Sequence, residues 1–184
     1  CTALSAGHLG QNRPARPPQL SRPPAMPRAT GHLSVIAVGK LREKHWLAAQ
    51  AEYARRLAHY TDFNLVEVKD AVGKSLPDAV AMAREGEQLL AAVPRGARVV
   101  VLDPGGKSMS SPDLAAWLQV QLEAHGHPVF LIGGPLGFDP AVTAAAHDRL
   151  SLSPLTFTHE IARTLLLEQL YRAFTILHGE PYHK

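Results

Sequence analysis

From Gly31 onward, stretches patterned like β-strands alternate with stretches of helical period, and this alternation limits the folds open to the chain. The predicted strands cover residues 33–38, 63–68, 98–103, 129–132 and 149–153. The predicted helices cover residues 45–60, 78–93, 111–124, 140–146 and 158–177. Regular alternation of this kind is typical of βαβ units. We therefore predict an α/β fold with a mostly parallel sheet and helices on both faces.

Three of the predicted strand-to-helix loops are rich in glycine, proline and hydroxyl residues: 102–107, 132–137 and 152–157. In βαβ units such loops meet at the carboxyl edge of the sheet, where open α/β folds bind ligands. Glycine lets the main chain approach a ligand, and proline stiffens a loop. Each loop taken singly is explained by an ordinary turn. Three of them in register predict one pocket for a flat, partly polar ligand.

Length and composition predict a single soluble domain. The chain has 184 residues, of which 46% are apolar, enough for a substantial core. Its single cysteine, Cys1, excludes a disulfide within the chain and a cysteine-based zinc site. A reducing, cytoplasmic setting is the expectation that follows. No stretch approaches the roughly 20 consecutive apolar residues that a membrane-spanning helix needs.

Residues 1–30 differ in composition from the domain predicted over 31–184. They contain six prolines, four arginines and no acidic residue, which predicts disorder. The segment is interpreted either as sequence upstream of a start at Met26 or as an organelle transit peptide. Without it, the chain has 15 Lys and Arg against 16 Asp and Glu. A nucleic-acid partner would therefore have to meet local basic clusters rather than a basic surface.

Two glycine-dependent nucleotide motifs are excluded by spacing. Gly106, Lys107 and Ser108 resemble the end of a phosphate-binding P-loop, but Val101 stands where that motif requires its first glycine. The dinucleotide pattern G-x-G-x-x-G does not occur, nor does the G-x-S-x-G nucleophile elbow. The glycine loops must serve some other ligand.

Metal chemistry is also disfavoured. His159 and Glu160 are followed by Arg163 where a zinc-binding HExxH motif requires its second histidine. His125 and His127 lie two residues apart with no further ligand nearby in the sequence, and we expect both at the surface. The sequence thus predicts no metal site.

The last predicted helix is apolar on nearly every face between residues 161 and 177. Such a helix must be covered on more than one side. The sheet covers one side, and we predict that a second subunit covers the other in a twofold dimer. Glu168 and Arg172 are spaced for an ion pair along the helix. Arg163 is expected in the first turn, either beside the pocket or as an ordinary surface charge.

A series of short motifs resembles the RlmH family of SPOUT-class rRNA methyltransferases. They are GK at 39–40, EYARR at 52–56, EGEQ at 85–88, LD and GK within 102–107, IGGP at 132–135, SLS at 151–153, EQLYRA at 168–173 and PYHK at 181–184. They occur in the family's order and span 33–184 without large gaps. As a set they are specific, although none is specific alone.

The resemblance implies a SPOUT fold with a C-terminal trefoil knot, a homodimer, and S-adenosylmethionine bound in the knot loops. The implied cofactor-binding residues are Leu102, Gly133, Leu152, Ser153, Pro154, Leu155, Thr156 and Phe157. These residues belong to the three loops already singled out. Pro154, Phe157 and the N-terminal extension depart from the family's pattern without altering the expected activity.

The resemblance further implies methylation of N3 of a pseudouridine in the helix 69 hairpin of 23S rRNA, in assembled ribosomes. It assigns substrate binding or catalysis to Tyr182 and His183. A histidine has an ordinary pKa of about 6.5, so His183 is a candidate acceptor of the N3 proton, with solvent as the alternative. Tyr182 is a candidate to stack on the base. Arg163, with Arg172 and Lys184, is expected to contact phosphates.

Two other functions remain open from the residues alone. One is a SPOUT methyltransferase that acts on another RNA, such as tRNA. The other is a non-catalytic α/β module whose glycine loops hold a nucleotide. Binding of S-adenosylmethionine distinguishes the second from an enzyme of the predicted class.

Overall fold

Five parallel strands form one sheet in the computed structural model, which describes residues 31–71 and 75–183. They are β1 (His32–Val38), β2 (Asp62–Val68), β3 (Arg98–Ser108), β4 (Pro128–Ile132) and β5 (Asp148–Ser151), in the order β2-β1-β4-β3-β5. Every described strand pairing is parallel, which confirms the prediction. The predicted disorder of residues 1–30 lies outside the described residues.

Five helices connect and follow these strands. They are α1 (Lys44–Leu57), α2 (Asp78–Ala92), α3 (Ser111–His125), α4 (Pro140–Ala145) and α5 (His159–Leu177), followed by a 3-10 turn at Pro181–His183. The predicted bounds agree within three residues except at the end of β3. That strand continues to Ser108 because it bulges after Leu102 and pairs with β5 again at Lys107.

The helices pack on both faces of the sheet, as predicted. Along β1, Leu33 and Val35 belong to a buried cluster with α1, α3 and α5, whereas Ile36 belongs to a second cluster with α2 and α4. Alternate residues of a strand point to opposite faces, so a strand covered on both sides reads as a continuous apolar run. None of the helices among the described residues is long and apolar enough to cross a membrane.

Local sequence signals set the ends of α3. The Ser110 hydroxyl accepts a hydrogen bond from the amide of Asp113, and Pro112 occupies the first turn. At the other end Gly126 adopts φ 70°, and its amide donates to the carbonyl of Leu122. These are the preferred chemistries of helix beginnings and ends, and they explain why the bounds of α3 were predictable.

Helix α5 returns from the edge strand β5 and packs against α1, α3 and the sheet. Leu166, Leu167, Leu170 and Phe174 are fully buried in this arrangement. The expectation that only the sheet covers α5 within one chain is therefore wrong, because α1 and α3 cover its flanks. Leu165 is exposed on the outer side. The apolar character of α5 is thus largely explained without a partner, and the dimer remains a prediction.

The bulged end of β3 is pressed against β5. A Cβ atom added to Gly106 would lie 2.7 Å from the backbone carbonyl carbon and oxygen of Arg149. Only a residue without a side chain fits such a close backbone approach. This contact between two carboxyl-edge segments is consistent with the trefoil knot that the resemblance implies.

Candidate functional site

The three predicted ligand loops line a single cavity of about 710 Å³ at the carboxyl edge of the sheet, which we call the loop cavity. Of the predicted cofactor-binding residues, the structure brings together Leu102, Gly133, Leu152, Ser153, Leu155, Thr156 and Phe157 in its walls. Pro154 is not among the lining residues. The convergence of the loops that was predicted from the strand order is therefore present.

The loop after β4 is folded tightly on itself. The amide of Gly137 donates to the carbonyl of Gly134, and Gly137 has φ 85°. A Cβ atom added to Gly133 would lie 3.0 Å from the carbonyl oxygen of Gly137. The glycines thus allow a compact turn whose main chain, rather than its side chains, forms this wall of the cavity.

Hydroxyl groups hold the loop after β5. The Ser151 hydroxyl lies 3.0 Å from the carbonyl oxygens of both Pro104 and Ser153, which links this loop to the bulge of β3. The amide of Leu155 donates to the Ser153 hydroxyl at 3.0 Å. The Leu155 side chain is 70% exposed at the rim of the cavity. An apolar residue so exposed at a rim is available to cover a ligand.

Asp103 supplies a fixed negative charge to the loop cavity. Its Oδ2 atom accepts a hydrogen bond from Arg149 at 2.5 Å, and its Oδ1 atom accepts one from the amide of Gly105 at 2.7 Å. The Arg149 guanidinium and the Gly105 amide hold the pKa of Asp103 below its usual range. Asp103 was not predicted as a site residue, although it directly follows Leu102, which was predicted to bind the cofactor.

His159 and Glu160 form the first turn of α5 and were also missed as site residues. The Glu160 Oε1 atom lies 3.3 Å from His159 Nε2, a charge contact rather than a hydrogen bond. Burial raises the pKa of Glu160, but hydrogen bonds from its own amide and from Thr158, with the charges of His159 and Arg163, outweigh burial and lower it. The carboxylate is thus ionised at neutral pH.

A second cavity, of about 610 Å³, adjoins the first, and we call it the edge cavity. The loop after β1 and the end of β2 form most of its wall, including the exposed cations Lys40, Arg42 and Lys69. Pro135, His159 and Glu160 line both cavities. The first turn of α5 therefore lies at the border between the two spaces.

Arg163 is not placed to contact a substrate phosphate, contrary to expectation, because it is completely buried. Its Nη1 atom donates to Glu67 at 2.6 Å, and its Nη2 atom donates to the carbonyl of Gly39 at 2.8 Å and that of Val38 at 3.3 Å. Burial lowers its pKa, while the charge of Glu67 opposes that change. Arg163 ties the start of α5 to the ends of β1 and β2.

Tyr182 lies along the side of α5 and is absent from the lining of both cavities. Its hydroxyl donates to Glu168 at 3.1 Å, and the Arg172 guanidinium lies 4.9 Å from its ring centroid. Glu168 is eight residues beyond Glu160, which corresponds to about 12 Å along the helix. Burial, with the hydrogen bonds to Tyr53 and Glu168, raises the pKa of Tyr182.

The other tail residues add little to this description. The predicted pair of Glu168 and Arg172 is present at 2.5 Å. The His183 side chain and Lys184 lie outside the described residues. The structure therefore brings no described tail side chain to the cavities of its own chain.

The two histidines of the loop before β4 differ. His125 is exposed as expected, and its Nε2 atom lies 3.2 Å from Arg98 Nη1. His127 is half-buried rather than at the surface, with its Nε2 atom 2.9 Å from the Ser34 hydroxyl. In the part of the chain that the structure describes, no cluster of histidine, cysteine and acidic residues could hold a metal ion.

Residues 32–183 match the protein family described as predicted SPOUT methyltransferase, which assigns the fold and its cavity to that class. A ribosomal RNA large subunit methyltransferase H of Gemmatimonas aurantiaca is 45% identical over 152 residues, covering 83% of this chain and 99% of the relative. A protein of the same name from Gloeobacter violaceus is 46% identical over 151 residues, covering 82% and 97%. The chain therefore belongs to the SPOUT methyltransferases and, among them, to the family of ribosomal RNA large subunit methyltransferase H.

Proposed function

We propose that the chain transfers a methyl group from S-adenosylmethionine to N3 of a pseudouridine in helix 69 of 23S rRNA, in assembled ribosomes. The observation that carries the proposal is the loop cavity, which the three converging loops and two carboxylates form in a chain of this family. The relatives' names state a large-subunit rRNA substrate. The pseudouridine, its N3 atom and the helix 69 hairpin are implied by the resemblance to the RlmH family.

The residues of the loop cavity fit S-adenosylmethionine. A volume of about 710 Å³ lies within the range of small-molecule and cofactor sites. Leu102, Ile132 and Phe138 offer apolar surface for a flat base, while the turn from Gly133 to Gly137 offers main-chain groups for its polar edge. When bound, this cofactor supplies a methyl group activated by a sulfonium charge.

The carboxylates of the cavity suit a cationic ligand. Asp103 and Glu160 both line it and are both held in the charged form. Negative charges attract a sulfonium more strongly than the neutral thioether that remains after methyl transfer. The two residues therefore favour binding of the methyl donor over retention of the product.

We include a homodimer and a role for the tail in the proposal. Within one chain, Tyr182 is tied to Glu168 and Arg172, about two helical turns from the border of the cavities. A second subunit offers a way for a tail to approach a cavity without loss of those contacts. A ribosomal substrate also implies a cytoplasmic location.

Two measurements test the proposed function. Calorimetry with purified protein is expected to show binding of S-adenosylmethionine, and a Gly133→Val variant is expected to bind it at least tenfold more weakly because its side chain meets the Gly137 carbonyl. A nucleotide-binding module would not respond to this cofactor. A His125→Asn variant, at the opposite edge of the sheet, is the matched control and should bind like the wild type.

Mass analysis of RNA from a strain that lacks the protein identifies the substrate. We expect one pseudouridine of 23S rRNA to lose its methyl group and regain it when the gene is restored. Loss of a methyl group from tRNA alone would replace the proposal with the tRNA alternative. Because the domain has nearly balanced charge, free 23S rRNA should be a much poorer substrate than ribosomes.

A further inference from the structure

The border between the two cavities carries a histidine and a carboxylate that the proposed function does not yet use. His159 and Glu160 line both the loop cavity and the edge cavity. If the loop cavity holds the methyl donor, the adjoining space is where a base can approach it. The imidazole then lies where the base and the methyl group meet.

The fold fixes the imidazole at this border. Gly39 directly follows β1 with φ 80°, and a Cβ atom added there would lie 3.6 Å from His159 Nε2. The buried Arg163 holds the start of α5 against the same segment through the carbonyls of Val38 and Gly39. The ring is 26% exposed, so it is both held in place and accessible.

We propose, on the basis of the function above, that the target base enters the edge cavity and that His159 takes the proton from its N3 atom. The Glu160 Oε1 atom lies 3.3 Å from Nε2, close enough for its negative charge to act on the ring. The N3–H bond breaks, the proton goes to the ring nitrogen that carries the lone pair, and the electron pair stays on N3 to form the bond to the methyl carbon. As that bond forms, the bond between the methyl carbon and sulfur breaks and its electron pair remains on sulfur. Glu160 stabilises the resulting imidazolium, so it is a positioning residue and His159 the catalytic one.

The charged groups that line the edge cavity with His159 are Lys40, Arg42, Glu43, Glu67, Lys69, Asp70 and Glu160. Glu67 is paired with the buried Arg163. The Oε1 atom of Glu160 lies 3.3 Å from Nε2 of the imidazole. Removal of the Glu160 charge should therefore lower kcat more than removal of the Glu43 charge, which makes Glu43→Gln the matched control.

The test measures methylation of ribosomes from a strain that lacks the enzyme, as a function of pH. Wild-type kcat should rise with pH and reach a plateau once the imidazole is unprotonated. A His159→Asn variant should lose about 100-fold in kcat, and its residual rate should rise through the whole range because hydroxide then takes the proton. Glu160→Gln should lower kcat and leave KM for ribosomes within about twofold of wild type, because a neutral amide stabilises imidazolium less, whereas Glu43→Gln should lower kcat less. An unchanged kcat in His159→Asn would overturn the proposal.

Binding measurements separate catalysis from loss of structure. The affinity of His159→Asn for S-adenosylmethionine by calorimetry and for ribosomes by sedimentation should stay within about twofold of wild type. A tenfold loss of cofactor affinity would instead make His159 a cofactor contact and overturn the proposal. Added imidazole should restore activity to His159→Ala but not to His183→Ala. The reverse pattern of rescue would assign the proton to the tail.

The location of the base has a test of its own. Arg42→Gln and Lys69→Gln remove cations from the edge cavity, where they would meet phosphates next to the base. Each should raise KM for ribosomes several-fold and leave cofactor affinity unchanged. An unchanged KM in both variants would place the base elsewhere. If wild-type protein transfers no methyl group to ribosomes, the proposed function itself fails, an outcome distinct from all of these.

Discussion

At both edges of the sheet histidines lie beside carboxylates, yet the edges differ in what surrounds those pairs. At the amino edge, His32 Nδ1 lies 2.7 Å from Asp62 Oδ2, and His127 Nε2 lies 2.9 Å from the Ser34 hydroxyl. None of these four residues lines either cavity. At the carboxyl edge, His159 and Glu160 make a looser contact and lie between two cavities.

The shorter contacts between a histidine and its partner thus lie away from both cavities. The amino-edge pairs have the shorter distances, but they join strands and loops. The 3.3 Å contact of His159 and Glu160 leaves part of the imidazole exposed next to empty space. Catalytic contacts are often longer before the substrate binds, so the looser pair is the better candidate.

Arginine ion pairs also occur at both edges, and Arg163 with Glu67 and Arg98 with Asp148 differ in burial. Arg163 is fully buried at the carboxyl edge, whereas the Arg98 side chain is 25% exposed beside Asp148 at the amino edge. A buried charge that loses its partner is left without solvent, while an exposed one regains water. Loss of an arginine should therefore destabilise the protein more at the carboxyl edge than at the amino edge. Four substitutions, two at each edge, compare the edges.

The largest effect is expected from Arg163→Met. The change removes the donor to Glu67 and to the carbonyls of Val38 and Gly39, so we expect the free energy of unfolding to fall by about 3 kcal/mol. Urea denaturation measures it. A loss below about 1 kcal/mol accompanied by a higher KM for ribosomes would return Arg163 to the role of a substrate contact.

Gly106→Ala tests the close packing at the same edge. Its Cβ atom would lie 2.7 Å from the Arg149 backbone, so β5 must move, at a cost of about 2 kcal/mol. The neighbouring Gly105→Ala is the control, because its Cβ atom would meet only Asp103 Oδ1 at 3.4 Å. Urea denaturation of both variants gives the comparison. Equal stability of the two would contradict the close crossing of β5.

Arg98→Met is the counterpart at the amino edge. Since Arg98 and Asp148 are both partly exposed, we expect a loss of less than about 1 kcal/mol and unchanged methylation. Stability and ribosome methylation are measured together. A loss as large as that of Arg163→Met would remove the distinction between the edges.

The smallest effect is expected from His127→Gln. Burial lowers the pKa of His127, the nearby His32 charge lowers it further, and Asp62 opposes them. As pH falls through the ordinary histidine value of about 6.5, the unfolded chain takes a proton that the folded chain resists, so wild-type stability decreases. Glutamine keeps a partner for Ser34 without titrating. Stability of the variant should therefore fall less between about pH 7 and pH 5, and an equal fall would assign the effect to other histidines.

Much of the architecture followed from local patterns. Apolar runs such as 98–103 predicted strands buried on both faces, and Ser110, Pro112 and Gly126 marked the ends of α3. The strand-to-helix order then predicted that Leu102, Gly133 and the 152–157 loop would converge. These features depend on residues close together in the chain, and the patterns of such residues are visible without the fold.

The errors concern contacts between distant parts of the chain. Arg163 was expected near a phosphate, but it is 96 residues from its partner Glu67 and has no exposed surface. The contacts of Tyr182 were likewise not predicted: its ring centroid lies 4.7 Å from that of Tyr171 on the side of α5, and its role toward the substrate stays a prediction. Neither burial nor partner choice at such separations is encoded in periodicity.

The amino-acid sequence alone predicted a parallel α/β sheet and three converging loops, and it carried the resemblance to a methyltransferase family. Residue type and spacing suffice for these, because backbone preference and apolar period act locally. The tertiary structure alone showed that His159 and Glu160 share a border between two cavities, and that Arg163 holds their helix in place. Those facts depend on which segments pack together, since exposure and distance are properties of the folded chain rather than of any local pattern.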